Sequence, residues 1–288
     1  MIGIFDSGLG GLTVLRALAA RFPEQSFLYL GDHANAPYGD RASSEIVELT
    51  RAGVAHLFAL GAQLVVLGCN TATAVALRTL QRDWLPHSEF AGRNVIGIVA
   101  PTVEAATQTP WAVTKPQYPQ KNNRDVIAVF GTTRTIASGV YAEEIFKRCP
   151  RVRVLLQPCS ELAAAIESAR PVAELDAIVA DAVAAMLAQL GGHARGPKVP
   201  DRVILGCTHF SLVEKLFAEN LPAGVRILSQ PEVVADSFED YLARHPEYAG
   251  SGAAASMRLL TTGDPTLVSR VAAVFWGEAP RFERVVAP

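Results

Sequence analysis

One phrase occurs twice in this chain, and it constrains the fold more than any other stretch. Leu64 to Ala74 reads LVVLGCNTATA, and Val203 to Val213 reads VILGCTHFSLV. Each passes through an apolar, β-branched run to Gly, then Cys, then a Thr placed to cap a helix. That order predicts a buried strand whose end carries a thiol beside a helix N-terminus. The two copies lie too far apart for a tandem repeat and suit one strand in each of two similar lobes. Cys69 and Cys207 are therefore expected to face each other across a cleft.

Two lobes are within the chain's means. Its 288 residues, 30.7 kDa, are 50% hydrophobic, enough for two cores of about 100 to 150 residues each. A net charge of -2 and a pI near 6.3 offer no basic field to a nucleic-acid backbone, and no dense Lys/Arg run marks a membrane surface. The chain starts MIGIFD, without a basic leader, and no uninterrupted apolar span reaches about 20 residues. A cytoplasmic soluble protein with no nucleic-acid or membrane partner is the expectation. Four Cys, none in a CxxC pair, argue against a disulfide framework and a structural zinc site.

Taken in order, Ile2 to Phe5 reads as a strand, followed by Asp6, Ser7, GLGG and a helix from about Thr13 to Ala20. This is the first unit of an α/β fold, with its loop at the carboxyl edge of the sheet, where ligands bind. Gly8, Gly10 and Gly11 do not make GxGxxG, because Thr13 holds the third place, so a tight turn is the plainer reading. A second strand, Phe27 to Leu30, runs into GDHANAPYGD. There Asp32, His33, Asn35 and Tyr38 bring polar groups to the same edge, and Gly31, Pro37 and Gly39 shape the turn. A helix from Ser43 to Leu60 leads to the first thiol strand. After Cys69 the segment NTATAVALRTLQ is helical in pattern, so Asn70 and Thr71 offer donors at a positive helix end suited to a carboxylate.

Val95 to Val99 reads as a further strand, and Pro101 with Thr102 begins the crossing into the second lobe. The stretch 108–124 carries three prolines and little periodicity, as an exposed excursion would. Strand Val126 to Phe130 meets GTTRTIASGVY, where Thr132 and Thr133 stand at a helix start. Helical patterns cover Glu161 to Arg170 and Val172 to Leu190, and GGHARGPKVP links them to the second thiol strand. Beyond it come a helix from about Ser211, a strand Val225 to Leu228, a helix Pro231 to Leu242, and a strand and helix within Met257 to Phe275 that return to the first lobe. Cys149 and Cys159 lack the Gly-Cys-polar setting and read as packed thiols. The fold class is α/β: two pseudo-symmetric doubly wound lobes with largely parallel sheets, 1–100 plus 212–288 and 101–211, and the site in the cleft between them.

Two opposed thiols suggest paired proton transfer. A thiolate is a base whose pKa a helix N-terminus can lower, and a neutral thiol is an acid. Flanking a carbon from opposite faces, such a pair inverts a stereocentre with no metal or cofactor motif elsewhere in the chain. Asp6 on the neighbouring strand end would raise the pKa of Cys69, whereas a protonated His209 would lower that of Cys207. A zinc site of Cys69, Cys207 and His209 lacks further ligands of recognisable spacing. A one-thiol hydrolase leaves the second matched Cys unexplained.

The order FDSGLGG, PYG, GCNTATA, GTTRTIASGVY, a Glu closing LAAAIE, GCTHF and TTGDP resembles glutamate racemase, of the cofactor-independent aspartate/glutamate racemase superfamily, over nearly the whole chain. The resemblance implies that Cys69 takes the α-proton of D-glutamate and Cys207 that of L-glutamate. It implies Asp6 and His209 as catalytic helpers, with Ser7, Pro37, Tyr38, Gly39, Asn70, Thr71, Thr132 and Thr208 as substrate contacts and Glu167 near the second thiol. It also implies a homodimer that supplies D-glutamate for peptidoglycan. The pattern departs in places: His33 and Asn35 stand where the family commonly has Thr and Arg, Phe210 and Ser211 where it has Tyr and Pro, and the 108–124 excursion is longer than usual. No N-terminal extension of the kind through which some members are activated by a cell-wall precursor is expected. Racemisation of aspartate or another acidic amino acid would use the same thiols, and a binding-only paralogue would keep the fold but not need both of them.

Overall fold

A strand inside a parallel sheet is covered by helices on both faces and so needs apolar side chains on both, which is what the two thiol strands carry. The computed structural model describes residues 1–110, 113, 115–120, 124–191, 199–250 and 254–285. The chain begins with β1 (Ile2–Asp6), α1 (Gly11–Arg21), β2 (Phe27–Gly31), α2 (Ser43–Ala59), β3 (Leu64–Leu67), α3 (Asn70–Thr79), β4 (Asn94–Gly97) and α4 (Val99–Thr107). It continues through β5 (Val126–Gly131), α5 (Thr133–Ala137), α6 (Val140–Arg148), β6 (Arg153–Pro158), α7 (Leu162–Glu167), α8 (Val172–Ala188) and β7 (Arg202–Gly206). A 3-10 segment, Thr208–Val213, precedes α9 (Glu214–Asn220), β8 (Arg226–Leu228), α10 (Gln230–Arg244), β9 (Met257–Thr261), α11 (Pro265–Trp276) and β10 (Phe282–Arg284).

Two sheets result, ordered β10-β9-β2-β1-β3-β4 and β6-β5-β7-β8, and every pairing is parallel. Both thiol strands are interior: β3 lies between β1 and β4, and β7 between β5 and β8. All residues of β1, β2, β3 and β5 are buried. The doubly wound α/β architecture with two parallel sheets is thus the one the sequence predicts. Helix α10 packs on α1, with Phe22 edge-on to Phe238 at 5.6 Å, and also on α4. Its amphipathic face thereby closes the back of the molecule.

The structure departs from the sequence reading at five elements, one of them β10 at the C-terminal end, which the sequence reading did not name. Val99 begins α4 instead of ending a strand, because Pro101 sits in the first turn, where its missing N–H has no helical acceptor to lose. The helix expected from Ser211 is preceded by the 3-10 segment and starts at Glu214. Strand β6 is an addition: only Leu155 in its centre is fully buried, so its pattern is weak. The short β8 falls in the stretch 212–288 assigned to lobe one, yet it pairs with β7 in the second sheet. After α9 the chain crosses back to that sheet's open edge first, and only β9 and β10 join the first sheet. Of the linker GGHARGPKVP, residues 192–198 lie outside the described residues, as do 111, 112, 114 and 121–123 of the 108–124 excursion. Among the described residues no helix is long and apolar enough to cross a membrane.

Candidate active site

Strand register assembles the first half of the site. β1 and β3 pair so that Phe5 stands opposite Leu67, and Gly68 N–H donates to Phe5 O at 2.8 Å. The residues that follow, Asp6, Ser7 and Cys69, therefore leave adjacent strand ends together. Cys69 is the N-cap of α3, with extended backbone, and its Sγ accepts from Ala72 N–H at 3.4 Å. Ser7 Oγ lies 3.3 Å from the same sulfur. The Asp6 carboxylate is buried and accepts from Gly8 N–H at 3.0 Å.

The second half is built differently. Cys207 follows β7 and has its Sγ 3.7 Å from His209 Nδ1, while His209 Nε2 lies 2.7 Å from Glu167 Oε1. Glu167 closes α7, so the carboxylate arrives from a different element and pins the ring from its far side. The ring also meets Phe275 of α11 edge-on at 5.3 Å. Gly10 permits this approach: a Cβ there would collide with Thr208 Oγ1 and His209 Nδ1.

The electrostatics of the two halves are opposite. Burial pushes the Cys69 thiol up to about 12, with the Asp6 charge adding to it, and the hydrogen bonds from Ser7 and Ala72 only partly oppose this. Burial also lifts the Asp6 carboxyl above its ordinary range, against the His209 charge and the amides of Gly11 and Gly8. At His209 burial pulls the pKa down, but the bonds to Cys207 and Glu167 outweigh it and hold the imidazole well above its usual value. Glu167 is raised by burial and lowered more by His209, ending below the usual carboxylate range. Cys69 thus sits as a neutral thiol beside an acid, whereas Cys207 faces an imidazolium.

All thirteen site residues named from the sequence line one cavity of about 230 Å³: Asp6, Ser7, Pro37, Tyr38, Gly39, Cys69, Asn70, Thr71, Thr132, Glu167, Cys207, Thr208 and His209. Ser160, Ala163 and Ala164 add to a wall the sequence did not disclose, since small residues on a short helix and in the turn before it carry no signal of their own. The hydroxyls of Thr71 and Thr132 meet at 3.0 Å across the two sheets, with Thr135 at 3.2 Å from Thr71. Tyr38 spends its hydroxyl on Asp32, at 2.7 Å, so it offers the cavity its ring. Gln230, Tyr141 and Thr102, none of them a site residue in the sequence reading, form a polar cluster with Asn70. The departures from the family pattern are absorbed locally. His33 Nδ1 lies 2.9 Å from Gly31 O, Asn35 donates to Asp32 at 3.0 Å, and Ser211 Oγ donates to Thr208 O at 2.9 Å. Among the described residues no three His, Cys, Asp or Glu side chains converge as metal ligands would.

Two matched α/β halves, each delivering a thiol to one small cavity, have the frame of an amino-acid isomerase. The family model described as Asp/Glu/Hydantoin racemase matches residues 12–237, and the chain belongs to that family. It is 48% identical to the glutamate racemase of Phenylobacterium zucineum, over 98% of this chain and 99% of that protein. The glutamate racemase of a Caulobacter species is 47% identical over the same shares. Among solved structures, glutamate racemase isoform RacE1 from Bacillus anthracis superposes with a TM-score of 0.82 at 28% identity, over 99% of this chain and 97% of that one. Glutamate racemase from Thermus thermophilus, in complex with beta-chloro-D-alanine, gives 0.76 at 27% identity, over 99% and 96%. The chain is an isomerase.

Proposed function

We propose that the chain is a glutamate racemase that interconverts L- and D-glutamate by two-base proton transfer between Cys69 and Cys207. The observation that carries this reading is the convergence of two thiols from matched strand ends on one cavity, with opposite electrostatic partners. From L-glutamate, the Cys207 thiolate beside the His209 imidazolium takes the α-proton while the Cys69 thiol delivers its own to the opposite face. The product is D-glutamate, Cys207 as thiol and Cys69 as thiolate. The reverse reaction starts from that second form. The amide of Asn70, the hydroxyls of Ser7, Thr71, Thr132 and Thr208, and the helix ends beneath them suit the substrate's carboxylates. Asp6 and His209 hold or relay the protons, and Glu167 orients His209.

The same reading assigns the enzyme to the cytoplasm as a homodimer that provides D-glutamate for peptidoglycan. It needs no cofactor. The deciding experiment follows L- and D-glutamate by circular dichroism with purified protein in chelator, alongside Cys69→Ser, Cys207→Ser and α-proton exchange in deuterium oxide. Convergence of both enantiomers on a racemate, lost in each variant, is expected. Wild-type protein that neither racemises nor exchanges would sink the reading and send the assay to aspartate and other acidic amino acids.

A further inference from the structure

Behind the cavity wall formed by Asn70 lies a closed set of polar side chains that proton transfer does not use. Asn70, Thr102, Tyr141 and Gln230 are 3%, 0%, 1% and 1% exposed. They come from α3, α4, α6 and α10, so the set ties elements around both sheets. Its donors and acceptors can be assigned from one end. Thr102 donates its only hydroxyl hydrogen to Ile98 O, at 2.7 Å. It can therefore only accept from Gln230, at 3.0 Å, which makes the end of Gln230 facing it the NH2 group. The same nitrogen lies 3.1 Å from Tyr141 Oη and 3.0 Å from Asn70 Oδ1. Tyr141 in turn donates to Asn70 Oδ1 at 2.7 Å.

The orientation of Asn70 follows. Its oxygen has both lone pairs engaged, by Tyr141 and Gln230, and its nitrogen donates to Gln230 Oε1 at 2.5 Å. One N–H remains, and Asn70 lines the cavity. A flipped Asn70 would set NH2 against NH2 and oxygen against oxygen in a buried place. We infer that Gln230, held by Thr102 and Tyr141, is a positioning residue that locks Asn70 with a donor toward the cavity, so that it accepts a substrate carboxylate and refuses an ammonium or amide N–H there.

The inference rests on glutamate as substrate, and the test separates the two. In Gln230→Met and Tyr141→Phe, KM for both enantiomers should rise by about tenfold with kcat within about threefold, the signature of lost uniform binding. In an Asn70→Ala background the same changes should add less than about twofold. Thr102→Val should reproduce the rise, and Thr102→Ser, which keeps the acceptor, should reverse it. Unchanged KM in folded variants, or an equal rise in the Asn70→Ala background, would overturn the lock. A second readout does not need turnover: in nitrogen-15 NMR, one Asn70 side-chain proton should be protected from solvent exchange and the other not, with protection lost in Gln230→Met. If wild type leaves glutamate unchanged while that pattern holds, the substrate reading fails and the lock stands. If active wild type lacks the pattern, the lock alone fails.

Discussion

Asp6 illustrates how a residue can serve a site at the expense of the fold. Its folded pKa lies above the ordinary 3.8, because burial penalises its charge. Stability therefore falls as pH rises from 3.8 through the folded value, and the cost persists above it. Asp6→Asn, which keeps an acceptor for Gly8, should raise the melting temperature at neutral pH while lowering kcat by about tenfold or more. Thermal melts beside racemisation rates check both signs. The Glu167–His209 pair behaves oppositely at each end of the pH range. Glu167, held below its ordinary 4.5, contributes stability above that pH and loses it as pH falls through the lower folded value. His209, held above 6.5, contributes fully below that pH and loses it as pH rises through its folded value. The pair's contribution to the melting temperature should thus form a plateau bounded by the two, superimposed on the Asp6 decline, and Glu167→Gln should flatten both edges. An unchanged profile in that variant would mean the pair is not coupled as the 2.7 Å contact implies.

At the scale of elements, legibility followed burial. β1, β2, β3 and β5 are wholly buried runs and were readable, as were the thiols that follow β3 and β7, because a Gly-Cys-polar sequence after such a run has few other uses. β6 went unread because it is an edge strand covered on fewer sides, with Arg153 and Gln157 half exposed, whereas β8, also at an edge, was read as Val225 to Leu228 but not in the sheet it joins. The thirteen cavity residues were named mainly through family resemblance. Gln230 was hidden for a physical reason: in sequence it is only a polar residue before Pro231 at a helix start, and its role exists only once α10 packs behind α3. The loop into α1 is a sharper test of element packing. Gly10→Ala should displace the second thiol motif, since the new methyl meets Thr208 and His209. Activity should fall by about ten- to a hundredfold, with a loss of stability in the range of about 1 to 3 kcal/mol typical of overpacking. A crystal structure of the variant with His209 unmoved and full activity would refute this.

At the scale of the molecule, the site exists only where the two sheets meet. Thr71 and Thr132 join across the gap at 3.0 Å, and on the outside Arg78 of α3 reaches Glu143 of α6 at 2.9 Å. That ion pair is exposed and should matter little, within about 1 kcal/mol. The buried cavity should matter more. D-glutamate at about a hundred times its Kd should stabilise the fold by about 2.7 kcal/mol, seen as a rise in melting temperature, if the folded state alone binds it. The shift should shrink at the same concentration in Asn70→Ala; an equal shift there would place the ligand elsewhere.

The unlike partners of the two thiols carry one more consequence. The substrates are mirror images and equal in free energy, so kcat/KM must be the same in both directions for every variant, however lopsided the protein. The lopsidedness can show only in kcat and KM taken separately. On the proposed two-thiol mechanism, whatever its lopsidedness, a molecule that has just released D-glutamate is armed for D-glutamate, and must move a proton between its halves before it can accept the L form again.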